Sequence, residues 1–261
     1  VVLAARALEG QGKTQDIREL LMTTISILMY HQVGRFNRPE THRALYCNIK
    51  RFKAQMAYLH RFRYRVVSLD DCLAALQGKK PLSGHAVVLT FDDGYQNFYD
   101  HAYPVLRQYD FPATVFVVSA LIGRTARWFR DDGRHDPPLM DGETLRKLSA
   151  HRISIGAHTR THRLLGTLDD MQLQDEIVHG KAELEGLLGE PVSHFCYPAG
   201  DFNERIVQKV ESAGFSSGLT CIRGAATDGE NPFTLPRKAI SYGDSLIGFW
   251  WKLHMKHKKK I

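Results

Sequence analysis

The chain has 261 residues, 43% of them hydrophobic, with a formal net charge of +7 and a pI near 9.2. That is an ordinary globular composition, long enough for one large α/β domain or two small ones. Its basic balance suits polyanionic glycan, anionic lipid or nucleic acid without choosing among them. Cys47, Cys72, Cys196 and Cys221 are far apart with no C-x-x-C pair, which argues against a thiolate zinc site or a disulfide scaffold, and no run reaches the roughly 20 apolar residues of a membrane span.

Residues 1–24 read as an N-terminal extension; the sequence starts without Met, so the lack of a recognisable signal peptide in it says nothing about compartment. "ISILMYHQV" from Ile25 reads as the first strand. Ile49, Phe52, Met56 and Leu59 recur at helical spacing and predict an amphipathic helix with a basic outer face. "RVVSL" is a short strand, then a helix capped by Ser68 and stopped at Gly78. "HAVVLTF" is a strand and Tyr95–Tyr109 a helix; "ATVFVV" a strand, "RTARWFRDDGRHDPP" a polar loop and "DGETLRKLSAH" a helix. "ISIGAH" is a strand, and 168–188 a helix with Leu173, Ile177, Leu184 and Leu188 inward. "SHFCYP", a helix over Asn203–Ala213, the strand "SSGLT" and an amphipathic stretch "DSLIGFWWKLHMKH" follow. Alternating strands and helices predict β-α-β units and a mainly parallel sheet, which seven or so units can close into a barrel. The basic end, "KLHMKHKKKI" after Trp250 and Trp251, suits peripheral contact with an anionic membrane; the bland alternative is a solvated tail.

Functional groups of such a barrel collect where strands end. Asp92 and Asp93 close the "HAVVLTF" strand, His158 and His162 follow "ISIGA", and Pro198 ends "SHFCY". The adjacent carboxylates have a plain reading as helix caps. Histidines four apart lie on one side of a turn and can share a divalent ion, although H-x-x-x-H alone also decorates loops. One carboxylate with two imidazoles is a common catalytic set for zinc. In extended geometry the neighbouring carboxylate points the other way and stays free to act as a base, which suits metal-assisted hydrolysis of an amide or ester.

"TFDDGY", "HTRTH" and "YPAGDFN", in that order, resemble the NodB-homology polysaccharide deacetylases (carbohydrate esterase family four), with "LMYH", "FPATVFVV" and "LPRKAISY" agreeing. The resemblance runs over most of the chain and implies an α/β fold, a distorted, open (β/α)7 barrel over 25–243, with 244–261 as a C-terminal helix and basic tail. It implies a divalent metal, Zn2+ ahead of Co2+ or Ni2+, bound by Asp93, His158 and His162. Asp92 would be the catalytic base and the backbone N–H of Ala199 an oxyanion donor. The substrate would be an acetylated glycan, most simply an N-acetyl amino sugar, and a cell-envelope setting is preferred.

The sequence departs from the family pattern twice. No arginine precedes Pro198, and Ala199 stands where an aromatic is common; Arg237 in "LPRKAISY" is the candidate replacement partner for the base, a rim salt bridge being the alternative. The late L-x-H that supplies an acid is matched only by His254, in the terminal basic helix, so His31 in "LMYHQV" is the better placed acid or substrate contact. This opening and the missing arginine resemble the poly-N-acetylglucosamine and exopolysaccharide deacetylase branch. Tyr95 and Trp128 are candidates to stack on sugar, beside Pro198. Competing readings are a deformylase or amidohydrolase on a lipid-linked sugar or small cyclic amide, and a catalytically silent glycan-binding domain. A nucleic-acid partner is not expected, since no recognition motif accompanies the charge. Oligomeric state is left open.

Overall fold

The computed structural model describes residues 24–80, 82, 85–132 and 136–255, so the extension before Thr24 and the lysine run from Lys256 lie outside the described residues. Seven parallel strands form a ring: β1 (Thr24–Tyr30), β2 (Ala86–Phe91), β3 (Ala113–Val117), β4 (Ile153–Ala157), β5 (His194–Cys196), β6 (Ser217–Arg223) and β7 (Leu235–Ala239). β7 lies between β6 and β1, and β1 closes on β2 from Ile25↔Ala86 to Tyr30↔Phe91. The thinnest seam is β4–β5, with the single pair Ala157↔Phe195. This is the expected distorted (β/α)7 barrel, with helices outside.

Two of the expected strands change place. "RVVSL" contributes only Arg65–Val66, which pairs with the far edge of β2 outside the ring, and the seventh position belongs to "LPRKA". That segment carries Pro236, Arg237 and Lys238, a composition that reads as a loop; only its neighbours on both sides make it a strand. The first strand also breaks at His31, and Gln32–Gly34 pairs instead with Tyr46–Asn48 in a separate two-stranded sheet.

Alternation along the strands separates two cores. Ile25, Ile27, Val88, Phe116, Cys196, Leu219 and Leu235 pack together with Leu69, Cys72, Leu73 and Leu76 of the Leu69–Leu76 helix, which stops one end of the barrel. The alternate set, Leu28, Tyr30, Leu89, Phe91, Val115, Val117 and Phe195, faces the outer helices. Ser68 caps its helix by accepting from the Asp71 N–H, as its position in the sequence requires. Asn203 does the same for Glu204–Ser212 through the Ile206 N–H.

Two helices depart from regular α form. The stretch expected from Tyr95 has a π turn at Phe98–Ala102 before α-helix Tyr103–Gln108. Pro104 has no N–H for an α bond back to Asp100, so the register widens there. The stretch expected over 168–188 begins at the capping box of Asp169 and Gln172, passes through a π turn at Gln174–His179 and ends at Leu188 before left-handed Gly189. Leu173, Ile177 and Leu184 are buried as anticipated, and Leu188 is partly so.

Candidate active site

The residues singled out from the sequence meet at the C-terminal rim of the ring. Because side chains alternate, Thr90 and Asp92 follow Val88 toward the barrel interior, and Arg237 follows Leu235 on β7. Arg237 is 1% exposed and Asp92 3%. Nη1 and Nη2 of Arg237 hold the two Asp92 oxygens at 2.7 and 2.8 Å, a two-pronged ion pair. The remaining donors go to Thr220 O (Nε, 2.9 Å), Thr90 Oγ1 (Nη1, 3.2 Å) and Cys196 Sγ (Nη2, 3.1 Å). All five N–H groups of the guanidinium are thus used. Burial works to raise the Asp92 carboxyl, but the charge and hydrogen bonds of Arg237 outweigh it and hold the group below the ordinary carboxylate range. Arg237 therefore pairs with Asp92 inside the barrel and not as an exposed rim bridge.

Asp93 turns away from Asp92, with φ at +76°. Its Oδ1 lies 3.2 Å from His158 Nε2 and 3.3 Å from His162 Nε2, and their ligand atoms all fall within 4.8 Å of one another. His158 Nδ1 lies 2.8 Å from the Cys196 carbonyl, which can only accept, so Nδ1 carries the proton and Nε2 turns its lone pair inward when the ring is neutral. Asp93 Oδ1 is buried without a well-formed hydrogen bond. A carboxylate oxygen and two imidazole nitrogens aimed at one point fit a divalent cation. Burial would raise Asp93, yet the two histidines draw it well below the usual range. Asp92, His158 and Cys196 also approach one another. They suit a cation less well: both Asp92 oxygens are taken by Arg237, and burial pushes the Cys196 thiol up, keeping it protonated.

The loop between the histidines is tied down by groups that sequence reasoning did not single out. Thr159 Oγ1 accepts from the His162 N–H at 2.9 Å. Glu176, buried within the second π turn, accepts from the N–H groups of Arg160 and Thr161 at 3.0 and 2.8 Å and from the Thr161 hydroxyl. Arg160 pairs in turn with Asp175 and Glu183. An acid eight residues into a helical run carries no local signal of this duty.

His31 sits at the break after β1, its Nε2 3.8 Å from Asp92 Oδ2, beyond direct hydrogen bonding. Burial pushes this imidazole down, against the pull of Asp92 and Asp93, so the resting ring is neutral. Trp128 stacks on His162 with centroids 4.2 Å apart and stays partly exposed at the rim. Ala199 is exposed at φ +53° in the turn after β5. Two expected sugar contacts are corrected. Tyr95 is 1% exposed with its ring parallel to Phe129, so it builds the wall under the loop. Pro198 is buried and shapes the turn ahead of Ala199. His254 lies away from the rim, its Nε2 2.6 Å from the Tyr64 hydroxyl, which removes it as an acid.

With this geometry in view, comparison with known proteins is decisive. The polysaccharide deacetylase family model matches residues 79–218, more than half of the chain. The chain belongs to the polysaccharide deacetylase family. Among its relatives in that family is YxkH of Bacillus subtilis, which carries a provisional polysaccharide deacetylase designation; it is 31% identical over 94% of this chain and 82% of that protein. The poly-β-1,6-N-acetyl-D-glucosamine N-deacetylase of Staphylococcus aureus is 23% identical over 78% of this chain and 72% of its own. Among solved structures, the Streptococcus pyogenes deacetylase PplD in complex with acetate superposes with a TM-score of 0.76 at 25% identity, over 89% of this chain and 99% of that one. As a polysaccharide deacetylase the chain is a hydrolase of acetylated glycans, and Asp93, His158 and His162 are its candidate metal centre.

Proposed function

We propose that the protein removes N-acetyl groups from an amino sugar within a polysaccharide or glycoconjugate, using a divalent cation at Asp93, His158 and His162. The observation that carries the reading is a buried, ionised Asp92, clamped by Arg237, next to three convergent metal-ligand atoms. The cation supplies Lewis acidity toward water and toward the amide carbonyl. Asp92 accepts the proton of the attacking water and returns it to the leaving nitrogen, while Arg237 keeps its carboxylate oriented. The Ala199 N–H is the donor assigned to the developing oxyanion. His31, neutral and beside the base, contacts the sugar and is not a pre-charged acid. Trp128 offers the aromatic edge of the substrate channel. The N-acetyl preference is supported by the name of the Staphylococcus aureus relative, and Zn2+, Co2+ or Ni2+ suits the ligand set.

The test is acetate release from N-acetylglucosamine oligomers, peptidoglycan and acetylated xylan by protein stripped with chelator and reloaded with each metal. Release restored by metal and abolished in Asp92→Asn, with metal still bound, is the expected result. Metal bound without release from any substrate would point to a lipid-linked or small-molecule amide or to lapsed chemistry. An Asp92→Asn protein that no longer binds metal would overturn the division of labour between the aspartates.

A further inference from the structure

The helix Leu246–Met255 is apolar on its exposed side as well as on its buried one. Phe249 and Leu253 pack into the core, as a flank helix requires. The exposed surface, which a soluble helix would fill with polar groups, carries Ile247, Trp251 and Met255 away from the core, with Leu246 and Trp250 at its border, Ile247 being 81% exposed and Met255 55%. At 100° per residue these five lie within one half of the helix surface, with His254 set between Trp250 and Ile247. Phe62, 63% exposed at the end of the neighbouring helix Ile49–Arg61, extends the patch, and a groove lined by Tyr58, Phe62, Tyr64 and Trp250 joins the two helices. Contiguous apolar surface of this kind marks an interaction site.

The sequence near it is strongly basic, although Lys252 is paired with Asp244 at the head of the helix. From Ile49 to Leu69 there are six Lys and Arg and no acid; from Ser245 to Ile261 there are five Lys and no acid. Arg61, Arg63 and Arg65 are exposed around Phe62. Two copies meeting through this face would bring like charges together, which disfavours a dimer. Aliphatic and indole side chains bordered by cations match a lipid interface, where Trp sits at headgroup depth and lysines meet anionic headgroups. Among the described residues no helix is long and apolar enough to cross a membrane, so the contact is one of lying on the surface. The helix descends the barrel flank from Ser245 to His254 beside His85, the residue before β2, and the Asp92 rim is at the other end of that strand.

We propose that the outer face of Leu246–Met255, with Phe62 and its arginines, seats this protein on an anionic lipid bilayer. The test is flotation of the full chain with phosphatidylcholine vesicles, with and without 30% phosphatidylglycerol, alongside its mass by light scattering. The expected result is flotation with the anionic vesicles only, weakened by high salt, and a blue shift of tryptophan emission. The pair Ile247→Ser with Trp251→Ser should lower the vesicle affinity at least tenfold, as should Arg61→Glu with Arg63→Glu, while acetate release from soluble oligomers stays unchanged. No flotation with anionic vesicles, undiminished flotation of both paired variants, or a dimer that Ile247→Ser dissociates would overturn the proposal.

Discussion

Arg237 is the residue that orients Asp92, the proposed base, and its chemistry is that of a fork and not of a point charge. Lysine at this position would keep the charge but could not hold both Asp92 oxygens, Thr90, Thr220 and Cys196 at once. Arg237→Lys is therefore expected to fold, bind metal and lose on the order of 10²-fold in kcat through misplacement of Asp92; kcat and metal content measured on one preparation check this. Arg237→Ala leaves a buried carboxylate unpaired and should cost about 3–5 kcal/mol in a denaturant titration. Glu176 acts at one remove, through the loop it clamps. Glu176→Gln puts an NH2 group where an acceptor is needed, and competition with a zinc-chelating dye should show about 10–100-fold weaker metal binding. Unchanged affinity would limit Glu176 to a packing role. Asp93, Thr159, His162 and Ala199 all take positive φ around the same rim, conformations costing roughly 1–2 kcal/mol each for side chains of L configuration, which only surrounding bonds can hold.

At the scale of elements, the strands are tight where the site is built. A Cβ on Gly156 of β4 would stand 2.5 Å from the buried Phe116 ring and 3.1 Å from the His194 carbonyl. Gly156→Ala must push β3 or β5 aside two residues before His158. A loss of about 1–3 kcal/mol is expected, with metal retention falling too, readable by thermal melting with and without metal. An unshifted melting temperature would mean that the β4–β5 seam yields more readily than its packing suggests. Both π turns lie on helices that follow functional strands, and the second aims Glu176 at the histidine loop.

For the whole molecule, the far face of β7 matters as much as the near one. Arg237 points into the barrel, and Lys238 points outward, buried, donating to Ser26 Oγ at 2.9 Å and to the Leu253 carbonyl at 3.2 Å. It thereby ties the terminal helix to the barrel, with His85 and His254 as its titrating neighbours. Burial lowers the ammonium to about 7. The unfolded chain holds this proton up to about pH 10.4, so between pH 7 and 10.4 it binds more protons than the folded protein, and stability rises with pH. The contribution is complete above the unfolded pKa and is lost as pH falls through 7. Lys238→Met should flatten that rise, by up to about 1.4 kcal/mol per pH unit, in denaturant titrations at pH 7, 8 and 9. An identical slope in the variant would show that Lys238 keeps its proton when buried.

Local chemistry was enough to specify much of this protein. Strand alternation, helix period and the Ser68 and Asn203 caps depend on neighbours in the chain and made the β-α-β units legible, while the resemblance carried by "TFDDGY", "HTRTH" and "YPAG" implied the barrel and singled out Asp92, Asp93, His158 and His162. What tertiary structure decided depends on partners far apart in sequence. "LPRKA" is a strand because β1 and β6 flank it, and Arg237 is the partner of Asp92 because ring closure carries it across 145 residues. Tyr95 and Pro198 are walls and not sugar contacts because packing buries them, a property that no residue type announces. Glu176 could not be distinguished from any other helical acid, since its role resides in three donors presented by a loop folded over it.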